Sequence, residues 1–256
     1  MKSSSRQPPR PRRPKVSLPR ALSKLGHCSR TQAQALIAAG RVQVNGRART
    51  DAALRVDLER DRIEVDGRRL APADKVYLML NKPRGLVTTA SDEEGRPTVY
   101  TCLPEHPYLA PVGRLDKASE GLLLFTNDTR WADHILSPGS HIEKVYHVQV
   151  DGPADEALLQ QMVEGVTDEE DFLAAKRVSV LRRGGRNTWL EVVLDEGKHR
   201  HIRRLLIALG VEVLRLVRVA VGPLTLGDLT KGKYRRLTDE ERRALENAAP
   251  SARKTR

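Results

Sequence analysis

The chain has 256 residues, of which 45 are Lys or Arg and 33 are Asp or Glu, leaving a formal charge of +12. Such a length suits two modest domains, and such a charge favours a polyanionic partner. No apolar run reaches the ~18 residues that span a bilayer, no apolar N-terminal core marks a secretion signal, and two cysteines, Cys28 and Cys102, make no disulfide framework. Membrane, secreted and disulfide-scaffold classes are therefore set aside, and the expectation is a cytoplasmic protein with reduced thiols.

Residues 1–15 hold six basic residues, four prolines and no acid, too little apolar area to offset ordering entropy, so they are expected to be a disordered basic tail. From 16 to about 72 the texture is that of a small folded domain. Leu18, Leu22 and Leu25 predict a short helix stopping at Gly26, and Ser29 caps a second with Ala33, Leu36 and Ile37 on its apolar face, ending at Gly40. Val42 and Val44 alternate before Asn45-Gly46, a strong hairpin signal, and Ile63 and Val65 alternate before Asp66-Gly67. Residues 71–74, Ala-Pro-Ala-Asp, read as a linker.

A second domain is expected over 76–247. Val76–Leu80 reads as a strand running into Lys82-Pro83-Arg84-Gly85, where proline stops ladder pairing and glycine frees the turn. Residues 113–128, GRLDKASEGLLLFTND, place Asp116 in a polar turn between glycines, followed by the buried-strand run Leu122–Phe125. On spacing alone, such an aspartate is more often a turn residue bonding its own backbone. A helix is predicted over Trp131–Leu136 and a strand over Glu143–Val150, on which Tyr146 shares a face with Lys144 and Val148. Asp168–Asp171, DEED, reads as a solvated loop, because charge runs usually are. Trp189–Leu194 is a strand leading to EGKHRHIRRLL, where Ile202, Leu205, Leu206 and Leu209 form one helical face and Lys198, Arg200 and Arg204 belong to a dense basic cluster. Leu214–Leu226 alternates again, and Thr238 with Glu241 has capping-box spacing. Residues 248–256 are expected to be a second disordered tail.

Several of these stretches, in this order, resemble the motifs of bacterial ribosomal RNA pseudouridine synthases of the single-site, S4-domain-containing subfamily. GHCSRTQAQALIAAGRVQVNGR resembles the S4 domain, KPRG the first synthase motif, GRLD with its apolar run the catalytic motif, and KVYHV the tyrosine motif. EGKHRHIRRLL and LVRVAVGPLTLG resemble the third motif and closing strand. The resemblance implies an α+β protein: an N-terminal S4 RNA-binding domain, then a mixed, largely antiparallel-sheet catalytic domain with a cleft across the sheet. It implies catalytic Asp116, Tyr146 stacking on the target base, Arg203 pairing with Asp116, and Arg114, Leu216 and Lys82 lining the pocket. Candidate RNA contacts are Arg20, Lys24, Arg30, Arg41, Asn45, Lys198, Arg200 and Arg204. Where this chain has His201 the family usually has glutamine.

Isomerising uridine breaks the N1–C1′ bond and rejoins the ring through C5, with no electrons or groups exchanged with a third molecule. No cofactor is expected, and no phosphate-cradling glycine loop is present in the sequence. A carboxylate serves either as nucleophile at the sugar or as the counter-charge of a cationic sugar. The expected partner is ribosomal RNA or an assembly intermediate, with no membrane, no metal and a monomeric chain. The large subunit is the favoured source of the RNA, and the small-subunit enzymes share every motif quoted. Two other readings stay open: a catalytically idle RNA-binding assembly factor, and a metal-dependent nuclease using the DEED run.

Overall fold

The computed structural model describes residues 15–71, 74–103 and 108–248. The expected tails therefore lie outside the described residues apart from Lys15 and Ala248, as do Pro72 and Ala73 of the expected linker. The chain divides into two units, one ending at Asp74 and one starting at Lys75.

The first unit comprises β1 (Val16–Ser17), α1 (Leu18–Lys24), α2 (Arg30–Ala38), β2 (Val42–Val44), β3 (Arg47–Ala48), β4 (Arg55–Val56), β5 (Ile63–Val65) and β6 (Arg68–Arg69). Its helices start and stop where local chemistry says they should. Ser29 and Gln32 form a reciprocal capping box at α2, satisfying two otherwise orphaned N–H groups. The strands run β3-β2-β5-β6, and β1 pairs with β4. Both hairpin turns need left-handed backbone at two residues, supplied by Asn45 (φ 54) with Gly46 (φ 77) and by Asp66 (φ 50) with Gly67 (φ 75). Leu18, Leu22, Ala33, Ile37, Val42 and Ile63 close a core belonging to this unit alone.

The second unit contains β7 (Tyr77–Lys82), β8 (Ala110–Val112), β9 (Glu120–Thr126), α3 (Thr129–Leu136), β10 (Lys144–Asp151), α4 (Glu156–Glu164), β11 (Val166–Asp168) and β12 (Asp171–Leu173). It continues through β13 (Arg177–Arg183), β14 (Asn187–Leu194), α5 (His201–Ala208), β15 (Val213–Val221), β16 (Leu224–Thr225), β17 (Tyr234–Arg236) and α6 (Asp239–Glu246). Nine strands make one sheet in the order β13-β14-β10-β15-β9-β7-β17, with β16 on β15 and β8 on β9. All its strand pairs are antiparallel except one: β15 and β9 run parallel, meeting only at Val217 with Glu120 and Arg218 with Gly121. Either side of that seam the sheet has its own packing, with Val148, Leu190, Val192, Leu205 and Leu206 on one side and Leu78, Leu80, Leu123 and Phe125 on the other.

Three segments differ from their sequence expectations. The DEED run is the tip of a hairpin between β11 and β12, turned by Glu169 at φ 55. It is held down, because Arg204 on α5 bonds Asp168 and Asp171 at 2.6 Å each. Strand β13 was not foreseen, since RVSVLRR is an exposed edge whose arginines hide its alternation. The helix expected from Trp131 starts two residues earlier, where the Asp128 side chain accepts from the N–H groups of Arg130 and Trp131.

Candidate active site

Residues 113–119 cross from β8 to β9 without regular structure, and glycine makes the crossing possible. Gly121 sits at φ 97, and a Cβ there would lie 2.2 Å from the Arg218 carbonyl oxygen on the parallel neighbour β15. No side chain fits between these backbones, so β9 approaches β15 as closely as it does only with glycine.

The crossing is pinned by its own carbonyls. Thr88 Oγ1 donates to the Leu115 oxygen at 2.7 Å and accepts from the Leu115 N–H at 3.3 Å. Lys82 Nζ donates to the oxygens of Asp116 at 3.0 Å and Ser119 at 2.7 Å. The Gly85 N–H donates to the Lys117 oxygen at 2.7 Å, and an Arg203 terminal nitrogen donates to the Ala118 oxygen at 3.2 Å. Every carbonyl from Leu115 to Ser119 is thus held, and the half-buried Asp116 side chain is positioned by a main chain with no slack.

Lys82 is the strut beneath this loop. It is 0% exposed, and its third bond goes to the Pro83 oxygen at 3.1 Å. Burial pushes its ammonium down from 10.5 to about 8, opposed by the nearby carboxylates of Asp116 and Glu120. Glu120 is itself buried, and bonds Arg215 at 2.8 Å and Lys231 at 2.5 Å.

Asp116 faces residues from the other side of the seam. A cleft of about 80 Å³ is lined by Arg114, Asp116, Ser119, Tyr146, His201 and Leu216, among others. Tyr146 on β10 lies in register with Arg218 on β15, and Val148 two residues on with Leu216. The β10–β15 register shifts between Val145 and Tyr146, leaving Val219 as the extra residue of β15, so it is β15 that bends where Arg218 meets the tyrosine.

Arg203 is buried at the start of α5. The expected pairing with Asp116 is not formed directly: Arg203 donates to the carbonyls of Ala118 at 3.2 Å and Val213 at 3.4 Å. Among the described residues no hydrogen bond or ion pair engages the Asp116 carboxylate. Burial lowers the Arg203 guanidinium below its ordinary range, and the charge of Asp116 opposes that shift, so the two act on each other without touching. His201 is also buried, with Nδ1 3.5 Å from Glu196 Oε1. Burial keeps its ring below the usual 6.5, so at neutral pH it offers the cleft one donor and one acceptor.

The remaining candidates divide by what their side chains are doing. Arg114 and Lys198 line the cleft beside Asp116, with Arg200 exposed at its edge. Lys198 also bonds Glu196 at 3.0 Å and the Phe172 carbonyl at 2.5 Å. Arg204 is spent on the β11–β12 hairpin. In the first unit Arg20 and Arg30 are exposed and Lys24 is partly buried in the last turn of α1. Arg41 forks onto Asp66 at 2.9 and 2.5 Å, and Asn45 bonds Asp61 at 2.9 Å and accepts from the Arg62 N–H at 2.8 Å. Sequence reasoning missed Thr88 and Glu120. A threonine in a loop and a glutamate before an apolar run carry no local signal of the distant groups they meet. Among the described residues no group of three or more His, Cys, Asp or Glu side chains is placed to hold a metal ion.

Fold and site together define a two-unit enzyme whose cleft is built on a mixed sheet and whose N-terminal unit is of the S4 type. The family model described as RNA pseudouridylate synthase matches residues 76–208, and the S4 domain model matches residues 16–63. An uncharacterised RNA pseudouridine synthase of Aquifex aeolicus is 39% identical over 228 residues, covering 88% of this chain and 92% of the relative. The ribosomal large subunit pseudouridine synthase B of Bacillus subtilis is 34% identical over 233 residues, covering 89% and 94%. A crystal structure of a pseudouridylate synthase superposes with a TM-score of 0.62 at 29% identity, covering 90% of this chain and 99% of that one. The chain belongs to the RNA pseudouridine synthase family and acts on RNA as an enzyme of that class.

Proposed function

We propose that the protein, acting as a monomer in the cytoplasm, isomerises one uridine of large-subunit ribosomal RNA, and that Asp116 is its catalytic residue. The observation that carries this reading is the Asp116 carboxylate, open to the cleft on a loop whose every carbonyl from 115 to 119 is held. Either route at the sugar needs such a carboxylate, close to C1′ and unpaired in the ground state. A target base taken out of its stack costs a few kcal/mol, and Tyr146 offers the ring on which it rests. The detached uracil must turn before C5 bonds C1′, so a small closed pocket suits it; C5 then loses its proton and N1 gains one. Arg203 holds the Ala118 carbonyl and lends its charge to the neighbourhood of the carboxylate. The assignment to the large subunit rests on the Bacillus subtilis relative, whose own name carries that substrate.

The test is pseudouridine mapping in ribosomal RNA from cells with the protein, without it, and with Asp116→Asn in its place. One site in large-subunit RNA is expected to vanish in both altered strains. A missing site in the small subunit would move the substrate, and an unchanged map or an active Asp116→Asn would overturn the reading.

A further inference from the structure

Beyond Tyr146 a larger cleft of about 410 Å³ adjoins the one at Asp116. Arg114, Tyr146 and Lys198 line both, so the two spaces adjoin. The walls of the second space are apolar, including Val112, Leu124, Ile135, Pro138 and the exposed Leu136. Its floor is not. Tyr146 lies opposite Arg218 across the β10–β15 ladder, and Lys144 lies two residues from Tyr146 on the same face of β10, about 7 Å along the strand. That step is on the scale of one nucleotide.

Among the described residues no acid forms an ion pair with either cation. Arg218 is buried, and its Nε donates to the Leu122 carbonyl at 2.7 Å; its terminal N–H groups make no hydrogen bond among the described residues. Lys144 is half-buried, and its side chain makes no ion pair or hydrogen bond among them. Asp195 and Glu196 also line the space, but both are engaged elsewhere: Asp195 lies 3.5 Å from Lys176, and Glu196 lies 3.0 Å from Lys198. Burial, and then the charge of Arg218, push the Lys144 ammonium below its ordinary range, with Asp195 opposing. Two like charges in a partly desolvated floor cost free energy unless an anion completes them. A guanidinium fixed at Nε presents its other donors in the fork that suits a phosphate, and a lysine beside it adds a point charge.

We propose that this second cleft is a nucleotide subsite: it receives the residue next to the target uridine, with its phosphate held by Lys144 and Arg218 and its base and sugar against the apolar wall at Leu136 and Pro138. The proposal rests on the assignment of Asp116 to the reacting uridine. It gives the cleft a role in register, because a phosphate fixed one step away decides which uridine reaches Asp116.

The experiment measures binding of full-length protein to a fluorescent oligouridine, which needs no mapped target site, across a series of salt concentrations. For single strands the slope of log affinity against log salt falls by about 0.7 for each phosphate contact removed. Lys144→Met is expected to lower the slope by that amount and to weaken binding about tenfold at low salt, the loss of one charge-assisted contact. Lys144→Arg should restore both values, which a folding defect would not allow. Arg235→Met, removing a cation already met by both carboxylate oxygens of Glu241 at 2.7 Å and absent from the cleft lining, should leave the slope unchanged. Differences between variants cancel whatever the rest of the chain contributes. An unchanged slope in Lys144→Met, or an equal fall in Arg235→Met, overturns the subsite. An Asp116→Asn variant that still makes pseudouridine would overturn the catalytic assignment instead, leaving the salt slopes to stand by themselves.

Discussion

Replacing Lys82 by methionine separates positioning from stability, because the two effects of the change nearly cancel in one and not in the other. The ammonium makes three bonds, to the carbonyls of Pro83, Asp116 and Ser119. The Asp116 oxygen keeps a second donor, the Ser119 N–H at 3.0 Å, so two carbonyls lose a partner, at about 1–3 kcal/mol each. Against this, methionine removes a buried charge whose pKa burial has taken from 10.5 to about 8, a penalty of about 3 kcal/mol. The net change in unfolding free energy should therefore lie between about 1 kcal/mol stabilising and about 3 kcal/mol destabilising. Turnover should behave differently, since a reactive group displaced by about 1 Å loses up to 10²-fold. Urea unfolding followed by circular dichroism, beside single-turnover pseudouridine formation, reads both. An unfolded variant, or a folded one with turnover within threefold of wild type, would refute the strut. The pH profile adds a second reading. Below pH 8 both folded and unfolded chains keep this proton; between about 8 and 10.5 only the unfolded chain does, so this group makes stability rise with pH across that window. Over the same window the neutral amine has two N–H groups for three carbonyls, and wild-type turnover should fall from about pH 8 while the Lys82→Met variant shows no such step.

Other outcomes follow from the same geometry. Gly121→Ala should destabilise the protein by about 2–6 kcal/mol, combining left-handed strain with overpacking against the Arg218 backbone, and a urea midpoint equal to wild type would exclude the close approach of β9 to β15. Asp116→Asn and Arg203→Met should each nearly abolish turnover yet combine far less than additively, as groups working as a unit do; additive losses in single-turnover assays would separate them. Removing residues 1–74 should leave a folded second unit, because its core clusters draw only on residues from 76 onward, while weakening RNA binding and flattening its salt dependence. A truncated chain without cooperative thermal unfolding would deny that independence.

Much of this was legible in the sequence where chemistry is local. Ser29 with Gln32, Thr238 with Glu241, and the Asn45-Gly46 and Asp66-Gly67 turns each carry their reason within four residues. The GRLD and KVYHV stretches were readable in a different way, as short runs that resemble family motifs; on spacing alone Asp116 reads as a turn residue. What could not be read joins residues far apart in the chain. Nothing near Thr88 announces that it clamps Leu115, and nothing near Arg203 says that it grips the Ala118 carbonyl before the Asp116 carboxylate. Lys144 was visible only as the residue two before a tyrosine; its meeting with Arg218 depends on the register of β10 against β15. The edge strand β13 failed for another reason, since exposed arginines erase the alternation by which strands are recognised.

The seam between β9 and β15 has a consequence for the order in which the protein comes into being. A chain emerges from its N-terminus, and its early domains fold as they appear. When synthesis has passed β9, the S4 unit and the Asp116 loop already exist. Tyr146, Arg203 and Leu216 do not, and neither does the strand against which Gly121 packs. A nascent chain therefore holds RNA-binding surface and the carboxylate while lacking any pocket to present a base to it. The cleft beside the Asp116 loop is completed only when a strand made nearly a hundred residues later pairs with β9. By this arrangement a chain synthesised only as far as β9 has its Asp116 loop but none of the residues after 126 that line the cleft beside it.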